Sequence, residues 1–98
     1  MDVYVRKFKS QGETVVAVCD CGLLGKCFQD GKLVLDVKRE FYEGSLASVE
    51  DALKVIETST IANIVGEKIV SRAIKAGLIC EESVIRISGV PHAQMIVL

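Results

Sequence analysis

TIANIVGEKIVSRAIKAG, residues 60 to 77, is the stretch whose reading decides the fold. Ile61, Ile64, Val65, Ile69, Ala73 and Ala76 recur at helical spacing and mark one face. Ser59 or Thr60 stands where an N-cap belongs, and Gly77 stands where a helix closes on a left-handed residue. The spacing therefore predicts one helix from about Thr60 to Ala76. Two residues sit oddly in it. Asn63 falls in the first turn, where its amide competes for backbone donors. Gly66 falls near the middle, at a cost of about 1 kcal/mol relative to Ala, and there it marks tight packing of helix on strand.

Outward from this stretch the chain reads as strands. DVYVRKFK (2–9) alternates and carries Val, Tyr and Phe; TVVAVC (14–19) is more uniformly apolar; Gln11-Gly12 between them predicts a β-hairpin. CDCGLLGKCFQDGK breaks the pattern and reads as a loop or one helical turn. KLVLDV (32–37) is a third strand, and KREFYEGS a polar connection. Ser48 followed by Glu50 and Asp51 reads as a cap with acids in the first turn, opening a short helix along 49, 52, 53 and 56. SVIRIS (83–88) is a fourth strand, Gly89-Val90-Pro91 a stiff turn, and AQMIVL a fifth strand.

The sum is an α+β fold in the order βββααββ, one compact domain over residues 1–98, its mainly antiparallel sheet covered by two helices on one face. Ninety-eight residues are too few for two independent cores. The net charge of −1 supplies no global field for polyanions. The charged start MDVYVRKFKS has no apolar segment of a signal peptide, and no apolar run is long enough for a bilayer. A cytoplasmic protein without membrane association is the expectation, with its four cysteines reduced.

The candidate chemistry is sparse. Cys19-x-Cys21-x5-Cys27 lacks the spacing of a zinc knuckle, and a buried cysteine is an ordinary core filler. No metal and no cofactor are expected. GLLGKC (22–27) suggests a phosphate loop, but that motif needs Gly at position 20 and Ser or Thr at 27, where the chain has Asp20 and Cys27. Lys68, Arg72 and Lys75 fall at i, i+4 and i+7 and share a helix face. With Lys26 on its glycine-rich loop they are the candidate contacts for an anion or for RNA. In GVPHAQM (89–95) the single proline and single histidine are adjacent, so a stiff turn presents His92.

TIANIVGE and, some twenty residues later, VIRISGVPHAQM resemble the archaeal "domain of unknown function 424" family, and LLGKCFQDGKLVLDVKREFYEG extends the resemblance over most of the chain. The positions that carry it are Gly25, Lys26, Phe41 to Gly44, Asn63, Gly66, Glu67, Gly89, Pro91, His92 and Gln94; Cys19, Cys21 and Cys27 stand outside the family's pattern. The resemblance implies an archaeal cytosolic protein of this length and carries over no activity.

Asn63, Glu67, His92 and Gln94 are thus the candidate ligand-binding residues, with no catalytic residue assigned. The first expectation is a small non-catalytic binding module for RNA or a ribosome-associated protein. The alternatives are a protein-interaction domain that forms a homodimer through its last strand, and a metabolite-binding protein or enzyme with Glu67 or His92 as acid or base.

Overall fold

The computed structural model describes residues 2–98. Among these residues thirteen short elements follow one another. β1 (Val3–Ser10) and β2 (Glu13–Asp20) form the expected hairpin, closed by Gln11 and Gly12 at φ 50° and 82°. Two positive φ values in a two-residue loop make the turn whose twist matches the flanking strands. A 3-10 turn at Cys21–Leu23 leads into a second hairpin, β3 (Cys27–Asp30) with β4 (Leu33–Asp36). Then come α1 (Arg39–Tyr42), β5 (Ser45–Ala47), α2 (Val49–Glu57), β6 (Ile61–Val65) and α3 (Glu67–Lys75). A 3-10 turn at Glu81–Ser83 precedes β7 (Ile85–Ile87) and β8 (Val90–Ile96).

The class is α+β. Six strands form one sheet in the order β5-β1-β2-β6-β8-β7. Its pairings are antiparallel except that of β2 with β6, which is parallel, so the sheet is mixed. One face is covered by α2 and α3, whose Ala52, Ile56, Ile69 and Ala73 pack on Val16, Val18, Ala62 and Ile64. The other face, which the sequence reading left without a layer, is partly covered by the β3–β4 hairpin and α1. Leu35, Val37 and Tyr42 pack there on Ala17, Cys19, Val65 and Ile87.

Three expectations need correction. The helix expected over 60–76 is a strand, Ile61–Val65, followed by a helix that begins only at Glu67. β6 is a central strand whose Ile61, Ala62, Ile64 and Val65 carry apolar side chains on both faces, a pattern that also satisfies a helical template. Second, the glycine-rich stretch holds β3 as well as its helical turn, and the polar connection after β4 holds α1 and β5. Third, the turn expected at 89–91 lies one residue earlier. Ser88 and Gly89, at φ 50° and 80°, close the β7–β8 hairpin, and Pro91 and His92 belong to β8.

Gly66 is the hinge of this arrangement. At φ 120° it turns the chain from β6 into α3 within one residue, a conformation open almost only to glycine. The turn brings the first amides of α3 to Asp20 at the end of β2. Asp20 Oδ2 accepts from the Lys68 amide at 2.9 Å and Oδ1 from the Ile69 amide at 3.1 Å. A carboxylate from a distant strand thus fills the N-cap role that no local side chain fills.

Candidate functional site

β6 and β8 place three of the four candidate ligand-binding residues on one face of the sheet. Asn63 lies opposite Gln94, and Val65 opposite His92. Val65 packs beneath the β3–β4 layer, and residues of the same parity share its face. Asn63, His92 and Gln94 therefore lie on the hairpin side, beyond the region that Leu35 and Val37 cover. The Gln94 side-chain amide donates to Asn63 Oδ1 at 2.7 Å. This cross-strand pair uses one donor of Gln94 and one acceptor of Asn63.

His92 is half-buried between Val65 and Ile85, its partners across the two ladders. Burial holds its imidazole below the ordinary value, because desolvation disfavours the charged ring. A concavity of about 330 Å³ beside it is lined by Ser83, Ile85, His92, Ala93, Gln94 and Ile96.

Glu67 does not join this group. It is the first residue of α3, beyond the end of β6, and its carboxylate accepts from Arg86 of β7. Arg86 also donates to the Gly89 carbonyl at 3.2 Å, so the pair ties the start of α3 to the β7–β8 turn. Glu67 borders two other hollows. One, of about 580 Å³, runs between α3 and β7 along Val70, Ile74 and Val84; the other, of about 290 Å³, lies among Asp20, Leu23, Val90 and Pro91. Asp20 in the second is half-buried. Desolvation raises its carboxyl above the ordinary value, against the pull of the two α3 amides and Lys68.

The cationic candidates do not form one patch. Lys68, Arg72 and Lys75 lie on α3, on the helix side of the sheet, whereas Lys26 pairs its main chain with Val37 in the hairpin layer. Lys68 Nζ stands 3.7 Å from Asp2 and Arg72 Nη2 2.8 Å from Glu50. Such exposed pairs contribute little to stability, but they set a carboxylate against two of the expected phosphate contacts.

Of the cysteines, Cys19 is buried and Cys27 and Cys80 are exposed. Burial, with Cys21 and Asp20 nearby, pushes the Cys19 thiol up to about 12. Among the described residues no group of three or more His, Cys, Asp and Glu side chains is placed to hold a metal ion, and no helix is long and apolar enough to cross a membrane.

Sequence reasoning missed Asp20, Arg86 and the latch at the β7–β8 turn. In that latch the Ser88 amide donates to Asp30 Oδ2, and its hydroxyl donates to the Gln29 carbonyl at 3.1 Å. These bonds span 19 to 59 residues of chain, so no local pattern announces them.

A more telling omission is the outer edge of β8. Gly66 donates to the Pro91 carbonyl at 2.9 Å and Val97 donates to the Thr60 carbonyl at 2.8 Å, so the odd-numbered residues turn their main chain inward. The even-numbered ones face outward. β7 pairs with them only as far as Ile85 opposite His92. Beyond that point Gln94 and Ile96 present their N–H and C=O groups with no neighbouring strand among the described residues. Ile85, Ile96 and Val97 are each more than half exposed beside them.

The family model "Protein of unknown function (DUF424)" matches residues 8–98. The chain is similar to the crystal structure of an uncharacterized conserved protein from Methanopyrus kandleri, at 28% identity and a TM-score of 0.82, over 100% of this chain and 93% of that one. No curated protein matches.

Proposed function

The chain belongs to the DUF424 family of proteins of unknown function, and from that premise we propose that it is a non-catalytic binding module that docks an extended protein segment on the outer edge of β8. The observation that carries this reading is the ladder that stops at His92 and leaves Gln94 and Ile96 without a partner strand among the described residues. An open edge offers main-chain hydrogen bonds to any extended segment, and side chains beside it supply specificity. Here those side chains are the Asn63–Gln94 amide pair, His92 and the exposed Ile85 and Ile96.

RNA stands second. Its support is the cationic face of α3, but the carboxylates of Asp2 and Glu50 already engage Lys68 and Arg72. The experiment is an NMR titration following the amides of residues 60–75 and 92–96. Short RNA oligonucleotides at two salt concentrations form one arm, and an extended apolar peptide selected by display forms the other. Peptide-induced shifts centred on Asn63, His92, Gln94 and Ile96 are expected. Salt-sensitive shifts on Lys68, Arg72 and Lys75 with RNA, and none at the edge with peptide, replace this reading with the second.

A further inference from the structure

We infer that the segment docked on this edge is a second copy of the same chain, its β8 antiparallel to the first about a two-fold axis at Ile96; the inference rests on the edge-docking reading above. The charge on the two ends of the sheet separates the candidate partners. Past the end of the β5 ladder at Val5, the open part of β1 carries Arg6, Lys7 and Lys9, the kind of charged edge that resists strand addition. The open part of β8 carries none: from Ala93 to Leu98 the side chains are Ala, Gln, Met, Ile, Val and Leu. An acidic or basic partner finds no counter-charge along this strand, whereas a second β8 meets it without repulsion.

The register follows from the hydrogen-bond parity. Ser83 and Ile85 border the concavity beside residues 92–94, so an incoming strand has room from Gln94 onward. Outward main-chain groups lie on even-numbered residues, so even residues must face even ones; of these registers, the one with Ile96 opposite Ile96 pairs residues 94–98 of both copies without reaching His92, which β7 already holds. Directly paired residues lie on the same face, so the two Ile96 side chains, each 59% exposed in the single chain, cover one another. The interface is self-complementary, as a two-fold axis requires, and the two six-stranded sheets become one.

Ile96→Cys in a Cys27→Ser, Cys80→Ser background tests the register, because a facing pair of this kind stands roughly 5.5 Å apart between α-carbons, within disulfide reach. Mild oxidation is expected to give a covalent dimer linked through residue 96, while Leu33→Cys at the β3–β4 tip, also exposed, gives none. Sedimentation equilibrium is expected to show a dimer of the wild-type chain that Gln94→Pro and Ile96→Lys each weaken by at least about tenfold. The Gln94 amide points away from β6, so proline there removes a donor used only by the partner, and Ile96→Lys serves if Gln94→Pro does not fold. A chain that stays monomeric up to millimolar concentration overturns the second-copy inference and leaves the edge reading to the peptide titration. A dimer untouched by both substitutions and not cross-linked at 96 forms through another surface and likewise overturns the second-copy inference.

Discussion

The carboxylate of Asp20 occupies the space that any side chain at Gly66 would need: a β-carbon on Gly66 would lie 2.3 Å from Asp20 Cγ. The strand-to-helix turn and the distant cap of α3 are therefore one structural unit. Gly66→Ala is expected to destabilise the fold by about 3 kcal/mol or more, from the disfavoured φ together with the clash. Asp20→Ala is expected to cost about 1–2 kcal/mol through loss of the cap. Adding Asp20→Gly to Gly66→Ala relieves the clash but not the backbone strain, so it should recover part of the loss. Urea denaturation of the three variants checks the pattern; a fully additive double variant would show that the two residues do not share this space.

His92 predicts a pH dependence. Its folded-state value lies below the ordinary 6.5 because burial opposes the charged ring. Below 6.5 the unfolded chain binds the proton more readily than the folded one, so stability falls as pH drops from 6.5 toward the folded-state value and is fully present above 6.5. His92→Gln should remove that slope. Thermal melts at pH 5 and pH 7.5 measure it, and an identical slope in wild type and variant would assign the titration to another group.

The Asn63–Gln94 bond is partly exposed, so its contribution is small. Asn63→Ala and Gln94→Ala should each cost under about 1 kcal/mol, with a coupling of roughly 0.5 kcal/mol in a double-mutant cycle. The larger effect is expected on docking, where the remaining amide groups meet the partner. A coupling of zero would mean that the two amides are held by their strands alone.

Thiol labelling reads the layers of the fold. Cys27 and Cys80 are exposed and should react within the dead time of a disulfide-exchange reagent. Cys19 lies under Leu35 and Tyr42 with its thiol pushed up to about 12, and should react only on unfolding. Prompt labelling of Cys19 in the native protein would contradict the second core layer.

How far the fold was legible follows from particular residues. Both strands of the first hairpin were readable because β1 alternates and Gln11-Gly12 specifies its own turn. So was α2, whose Ser48 hydroxyl accepts from the Asp51 amide at 3.1 Å as its position suggests. The segment Ile61–Val65 was not, because Ile61, Ile64 and Val65 fit a helix face as well as a strand buried on both sides. Its β-branched residues and the glycine after it were the signals that favour a strand. The second layer was invisible because β3 is only four residues long and only Phe28 within it is even partly buried. Of the candidate residues, Asn63, His92 and Gln94 share a face of the sheet. A helix over 60–76 would carry Asn63 together with Glu67, Lys68, Arg72 and Lys75, but β6 ends at Val65 and α3 begins only at Glu67. The open edge itself depends on where β7 stops, which is a tertiary fact.

The central claim, that the outer edge of β8 is open in the single chain and closed by a partner, is tested most directly by residue-resolved amide hydrogen exchange across a dilution series. In dilute monomer the Gln94 and Ile96 amides should exchange nearly freely, while those of Ala93 and Met95, turned toward β6, stay protected. At high concentration or with a bound segment, Gln94 and Ile96 should slow by at least about tenfold. Equal protection of all four amides in the dilute monomer, or free exchange of Gln94 and Ile96 under every condition, would contradict it.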